Sequence, residues 1–228
     1  MKKNSTAKWG FGEEIKGDWP AVTLIILSFV TGALVYPYLP ELVPSHWNIH
    51  GQVDNYSSRF WGAFALPMLT AGIYLLMVIV PRFDPKKENY TRFKGAYRSI
   101  KTGFTVFMLF LYAVILLNSL GYGVPVDRFV ITGIGALFII IGNIMGQLKH
   151  NYFVGVKTPW TIASEEVWRR THRLSGRVWV ASGLVSFLTG LFLGGERGFV
   201  IFAAAIAAAV IIPVAYSFII YKKSAHNK

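Results

Sequence analysis

Cysteine is absent from this chain, which excludes disulfides, thiol chemistry and cysteine-bound metal together. Acidic residues are scarce, 11 against 23 Lys and Arg in 228 residues, and charged residues of either sign make up only 15% of the chain. No alternating ten-residue pattern of the kind that builds a membrane β-barrel is present, and no inverted repeat relates the two halves. The cores of the apolar runs hold Asn118 and Asn143 but no Asp, Glu, Lys, Arg or His. Proton and cation pumps use such groups as relays and counter-charges, so this lack argues against pumping.

What is present is hydrocarbon. Hydrophobic residues make up 54% of the chain and its mean hydropathy is +0.46. They collect in six runs, at 20–38, 60–80, 103–120, 129–148, 178–193 and 199–221. Each approaches the roughly 20 residues a helix needs to cross a bilayer. Backbone groups left unpaired in lipid are too costly for open strands, so the predicted fold class is all-α: an integral membrane bundle of six transmembrane helices. The first run ends in Tyr36-Pro37-Tyr38-Leu39-Pro40 without a small-x-small cleavage site, so it reads as an anchor. Two halves are expected, 1–102 with spans one and two and 103–228 with spans three to six, together forming one membrane domain.

The basic residues orient the bundle. Twenty of the 23 lie in the N-terminal tail (Lys2, Lys3, Lys8, Lys16), the second and fourth loops and the C-terminal tail. Only Arg59, Arg128 and Arg197 fall in the first, third and fifth loops. The positive-inside rule then places both termini in the cytoplasm. The net charge of +12 is thereby explained by topology and by attraction to anionic lipid headgroups, and direct nucleic-acid binding is not needed to account for it.

Small residues predict packing. Ser182, Ser186, Gly190 and Gly194 recur every four residues on span five and face span six in a tight hairpin, while Gly142 and Gly146 offer a second close contact on span four. Asn118 and Asn143 read as interhelical hydrogen-bond glue. Pro67 and Pro213 interrupt spans two and six and bend them.

Two loops carry the chemistry. The first outer loop reads ELVPSHWNIHGQVDNYSSR, with Ser57 and Ser58 as helix-cap residues. In either an extended or a helical segment His46 and His50 share a face, and with Asp54 they offer a two-His, one-carboxylate arrangement for a divalent metal. The competing reading is an interfacial loop with Trp47 at headgroup depth, and it is favoured over metal. The fourth loop contains VKTPWTIASEEVWRRTHRLSG, in which Thr161 or Ser164 caps a helix whose first turn carries Glu165 and Glu166. Glu165 with Arg169 and Glu166 with Arg170 form four-residue pairs, and Trp168 shares a face with His172. This segment is either a docking surface anchored by Trp160 and Trp168 or an interfacial helix under the bundle.

The outer P-x-H-W-N-x-x-G-x-x-D (Pro44, His46, Trp47, Asn48, Gly51, Asp54), the D-P-x-x-x-N of loop two (Asp84, Pro85, Asn89) and the inner G-x-K-T-P-W-T…S-E-E-V-W-x-x-T-H resemble the SdpI family. The likeness runs in order through nearly the whole chain. Lys157 stands where the pattern more often has Arg, and His50 is outside it. The resemblance implies a multi-pass protein of the bacterial plasma membrane, not an enzyme and without a cofactor, that confers immunity to a secreted peptide toxin. It also implies signalling through capture of a transcriptional repressor at the cytoplasmic face. On this reading His46, Trp47, Asn48, Gly51 and Asp54 bind the ligand outside. Lys157, Thr158, Pro159, Trp160, Glu165, Glu166, Trp168 and His172 meet a partner inside, and membrane lipids surround the whole. A small-molecule or ion transporter and a metal-dependent membrane enzyme are the alternatives.

Overall fold

The computed structural model describes Ile15 and residues 17–226; Lys2, Lys3, Lys8, Lys16 and Lys228 lie outside the described residues. Among the described residues, six helices are long and apolar enough to cross a membrane. They are α1 (Trp19–Val35), α2 (Arg59–Ile79), α3 (Lys94–Ser119), α4 (Val126–Met145), α6 (Glu165–Phe192) and α7 (Gly195–His226). A short α5 (Pro159–Ala163) precedes α6. The all-α bundle carries one addition the apolar pattern did not announce, an antiparallel hairpin of β1 (Leu42–Trp47) and β2 (Val53–Ser58) between α1 and α2. Its strands are too short and too polar to span a bilayer, and they stand at one end of the helices.

Glycine decides which helices meet most closely. The tightest pairing is α4 on α6, ahead of the α6–α7 hairpin. A Cβ on Gly142 would sit 2.9 Å from the Gly176 carbonyl, and one on Gly183 would sit 2.8 Å from that of Gly135. With no hydrophobic drive between helices in lipid, such backbone approach supplies the dispersion contacts that hold them. Gly146, expected to share this contact, has open space around it. Of the expected ridge, Ser186 is buried and Gly190 packs against Thr132 and Arg128 of α4, so part of the ridge serves α4. The asparagines also act locally: Asn143 Nδ2 donates to Ile139 O at 2.8 Å in its own helix, and Asn118 Nδ2 donates to Val124 O at 3.1 Å in the loop that follows.

One expectation fails. Lys101 precedes the apolar run at 103–120 and so counts by sequence with the basic residues of loop two, but it lies seven residues inside α3 and is fully buried. Its ammonium pairs with Asp18 Oδ2, and Arg98 Nε lies 3.3 Å from Asp18 Oδ1. Tyr74 Oη donates to the same carboxylate at 3.3 Å, so the foot of α1 is tied to α2 and α3. A buried charge is tolerated only when paired and hydrogen-bonded, and this one is.

A Gly142→Leu change overpacks the α4–α6 crossing and is expected to lower stability by about 1–3 kcal/mol. Gly72→Leu on the open face of α2, where a Cβ meets nothing within 4 Å, is expected to leave it nearly unchanged. Thermal unfolding of the two variants in detergent separates these outcomes.

Candidate functional site

The hairpin side is built from local contacts and three chain returns. Val43 on β1 is buried with Leu39, Ala63, Tyr112 and Leu116, which roots the hairpin in the bundle, and Gly62 leaves the space that Val43 fills. Tyr112 Oη donates to the Ala63 carbonyl at 2.7 Å beneath it. Asn48 closes the turn, its Oδ1 accepting from His50 N at 2.9 Å and Gln52 N at 3.1 Å. Gly51 takes φ 75°, a left-handed conformation that suits glycine. The turn lies against Asp127, whose Oδ2 accepts from Gly195 N at 2.8 Å, so the hairpin, the start of α4 and the start of α7 converge.

Of the five residues predicted to bind outside, Asn48 and Gly51 therefore shape the turn. His46 and Asp54 face each other across the strands with Nδ1 2.5 Å from Oδ1, both well exposed. Trp47 is half-buried. His50 points its backbone into the turn and shares no site with His46 and Asp54. No group of three or more His, Cys, Asp or Glu among the described residues is placed to hold a metal. Ser58 occupies the N-cap of α2 but makes no side-chain capping bond.

The opposite side is a buried polar network that joins loop two to loop four. Asp84, nearly sealed from solvent, accepts from Lys86 N at 2.7 Å, Tyr90 Oη at 3.0 Å and Tyr152 N at 2.9 Å. Asn89 Nδ2 donates to His150 O at 2.7 Å. Asn151 is fully buried, and its Oδ1 accepts from Phe153 N at 2.9 Å and Val154 N at 2.7 Å. Such saturation is what a buried carboxylate or amide requires.

The fourth-loop motif residues divide into interior and surface. Trp168 and His172, both expected to meet a partner, are instead interior, 2% and 1% exposed. Trp168 Nε1 donates to Leu148 O at 2.9 Å and its ring stacks on His172 at 4.0 Å. His172 Nδ1 donates to Trp168 O at 2.8 Å, and its Nε2 accepts from Val156 N at 3.0 Å, so the ring pins the loop at Gly155. Thr158 is buried as well. It caps α5 in a reciprocal box with Thr161, and its hydroxyl meets Ser217 of α7 at 3.0 Å. Ser164 caps α6 through Val167 N at 3.3 Å.

Lys157, Pro159, Glu165 and Glu166 remain exposed, and Trp160 is half-buried against Phe218 with ring centroids 4.9 Å apart. The helix pairs differ from expectation. Arg169 grips Glu166 three residues back, at 2.7 Å, because Glu165 turns to Lys86 at 3.4 Å. Lys86 Nζ in turn donates to His150 Nδ1 at 2.7 Å. Lys86, Tyr90, His150 and Asn151 escaped the sequence reading, although each sits at the polar end of an apolar run, where Asn-Tyr recurs at 89–90 and 151–152.

Burial pushes the His150 imidazole below its ordinary range, Lys86 adds to this, and Glu165 opposes it. The folded state therefore favours neutral His150. That contribution to stability is complete above the unfolded value of about 6.5 and is lost as pH falls below it. His150→Gln is expected to flatten the loss of stability between neutral and mildly acid pH, measured by thermal unfolding at a series of pH values. Asp84→Ala strands three donors and is expected to destabilise the fold by about 3 kcal/mol, read in the same assay at pH 7.

Residues 147–217, which span the fourth loop, α6 and most of α7, match the SdpI/YfhL protein family. Residues 23–71, which span most of α1, the hairpin and half of α2, match a domain of unknown function, DUF1648. The chain is 28% identical to Immunity protein SdpI of Bacillus subtilis (strain 168) over 203 residues, covering 89% of this chain and 95% of that protein. No solved structure matches. The six apolar helices, the fourth-loop motif and a likeness running nearly end to end make this a multi-pass bacterial membrane protein similar to Immunity protein SdpI and, over residues 147–217, to the SdpI/YfhL protein family.

Proposed function

We propose that the protein confers immunity to a secreted, membrane-active peptide toxin, with the hairpin outside the cell and both termini in the cytoplasm. The observation that carries this reading is the near full-length similarity to Immunity protein SdpI. The arrangement of the hairpin supports it. The exposed His46–Asp54 pair lies in a hairpin that also exposes Leu42, Ile49 and Tyr56, with Phe60 and Trp61 opening α2 beside it. An amphipathic peptide arriving at the bilayer surface meets polar and apolar partners there together. The positive-inside count supports the orientation.

On the opposite face the exposed Lys157, Pro159, Glu165 and Glu166, with Arg169 and Arg170, form the surface offered to a cytoplasmic repressor. Arg169 is held in place by its bond to Glu166, which gives the surface a defined charge pattern. Signalling would require toxin binding to favour one arrangement of the bundle over another.

Expression in a strain sensitive to an Sdp-type peptide is expected to restore survival. His46→Ala combined with Asp54→Ala is expected to raise the sensitivity to toxin about tenfold, equivalent to about 1.4 kcal/mol of binding, at unchanged membrane levels. Arg169→Glu with Arg170→Glu is expected to spare protection and abolish co-purification of the repressor. Absence of any gain in survival across such peptides would overturn the immunity reading. Unchanged protection by the double outer variant would remove the hairpin from it.

A further inference from the structure

A groove of about 380 Å³ opens on the flank of the bundle, at the end where the polar network lies. One wall is Ile73 and Leu76 of α2, the other Ile141 and Met145 of α4. Tyr97 and Trp179 contribute to the lining between them, and Phe153 forms the rim. Its size falls within the range of about 300–1,000 Å³ typical of sites for small ligands. The lining offers almost nothing to water: Tyr97 Oη is committed to the Met77 carbonyl, and Trp179 Nε1 to Ala209 O at 3.0 Å. In a membrane-spanning bundle the substance available to fill such a space is an acyl chain.

Hydrocarbon alone gives no selectivity, because the chain leaves one apolar medium for another. Charge at the rim supplies it. Each of three segments that bound the groove runs into an exposed basic residue at the same end: Val80 leads to Arg82, Leu148 to Lys149, and Phe153 to Lys157. Lys157 Nζ donates to the Phe153 carbonyl at 2.8 Å, which holds the ammonium at the mouth of the groove. An ammonium has three protons to donate, so this bond leaves capacity for a phosphate oxygen. The rim loop is itself fixed from behind, Val154 by Asn151 and Val156 by His172.

We propose that this groove binds an anionic glycerophospholipid, one acyl chain lying between α2 and α4 and the headgroup phosphate held by Lys157 with Arg82 and Lys149. The site explains why the polar network is built so rigidly behind an exposed lysine, and it does not depend on the immunity reading.

The test uses the full chain in detergent, titrated with phosphatidylglycerol and with phosphatidylcholine of the same acyl chains and followed by native mass spectrometry. Phosphatidylglycerol is expected to be retained in preference to phosphatidylcholine. Lys157→Ala is expected to weaken that retention about fivefold, and neutralising Arg82, Lys149 and Lys157 together to erase the preference. Ile73→Trp fills the groove and is expected to reduce retention of both lipids, with thermal unfolding as the control for its fold. Equal retention of the two lipids by the unaltered protein, which would mean adventitious filling by hydrocarbon, overturns the proposal. A preference that survives the triple rim change, whose side chains are on the surface, overturns it too. Toxin survival is not among the readouts, so failure of the immunity reading and failure of this site are told apart.

Discussion

Polar groups sealed into the loops at the end of a helix bundle have no water to fall back on, and the network around Asp84 and Asn151 is the response on which the rest of the structure depends. Asp84 gathers the hydroxyl of Tyr90 and the backbone of Tyr152, while Asn151 gathers the backbone of Phe153 and Val154. These bonds join the α2–α3 connection to the α4–α5 connection, segments more than sixty residues apart in the chain. Because the connections are locked together, the ends of α2, α3, α4 and α6 share one frame. The exposed charges of α6, the rim of the lateral groove and the short α5 all take their positions from it.

The two faces are organised on different principles. The hairpin is short-range: a turn shaped by Asn48 and Gly51, a cross-strand pair and one buried valine at its root. The opposite face is long-range, held by side-chain bonds between loops and by Trp168 and His172 packed inside. Between them α4 and α6 cross with glycine at the close backbone approaches of Gly135 to Gly183 and Gly142 to Gly176, a union that leaves little room for either helix to slide. The Asp18–Lys101 pair performs the corresponding task for α1, whose other contacts with the bundle are modest.

How much of this could be read beforehand varies with the range of the interaction. The six spans follow from segments of about 20 apolar residues, a property each segment holds by itself. The cap at Ser164 and the buried face shared by Trp168 and His172 are likewise local, since a helix brings residues four apart together. Lys101 was open to the same logic: Tyr97, Lys101 and Thr105 follow one another at four-residue spacing on the buried face of α3. Its place directly after Lys94 and Arg98 makes it look like one more loop charge.

Hydropathy and basic-residue placement by themselves determined the class, the number of spans and the ends of the bundle at which the two patterned loops lie, because transfer into lipid acts on each segment separately. Only the tertiary structure decided which motif residues face outward. Trp168 and His172, both expected to meet a partner, are interior, while Lys157, a single change in an otherwise familiar pattern, stands exposed at the mouth of a groove. Burial is a property of how several segments meet, and no one segment carries that information.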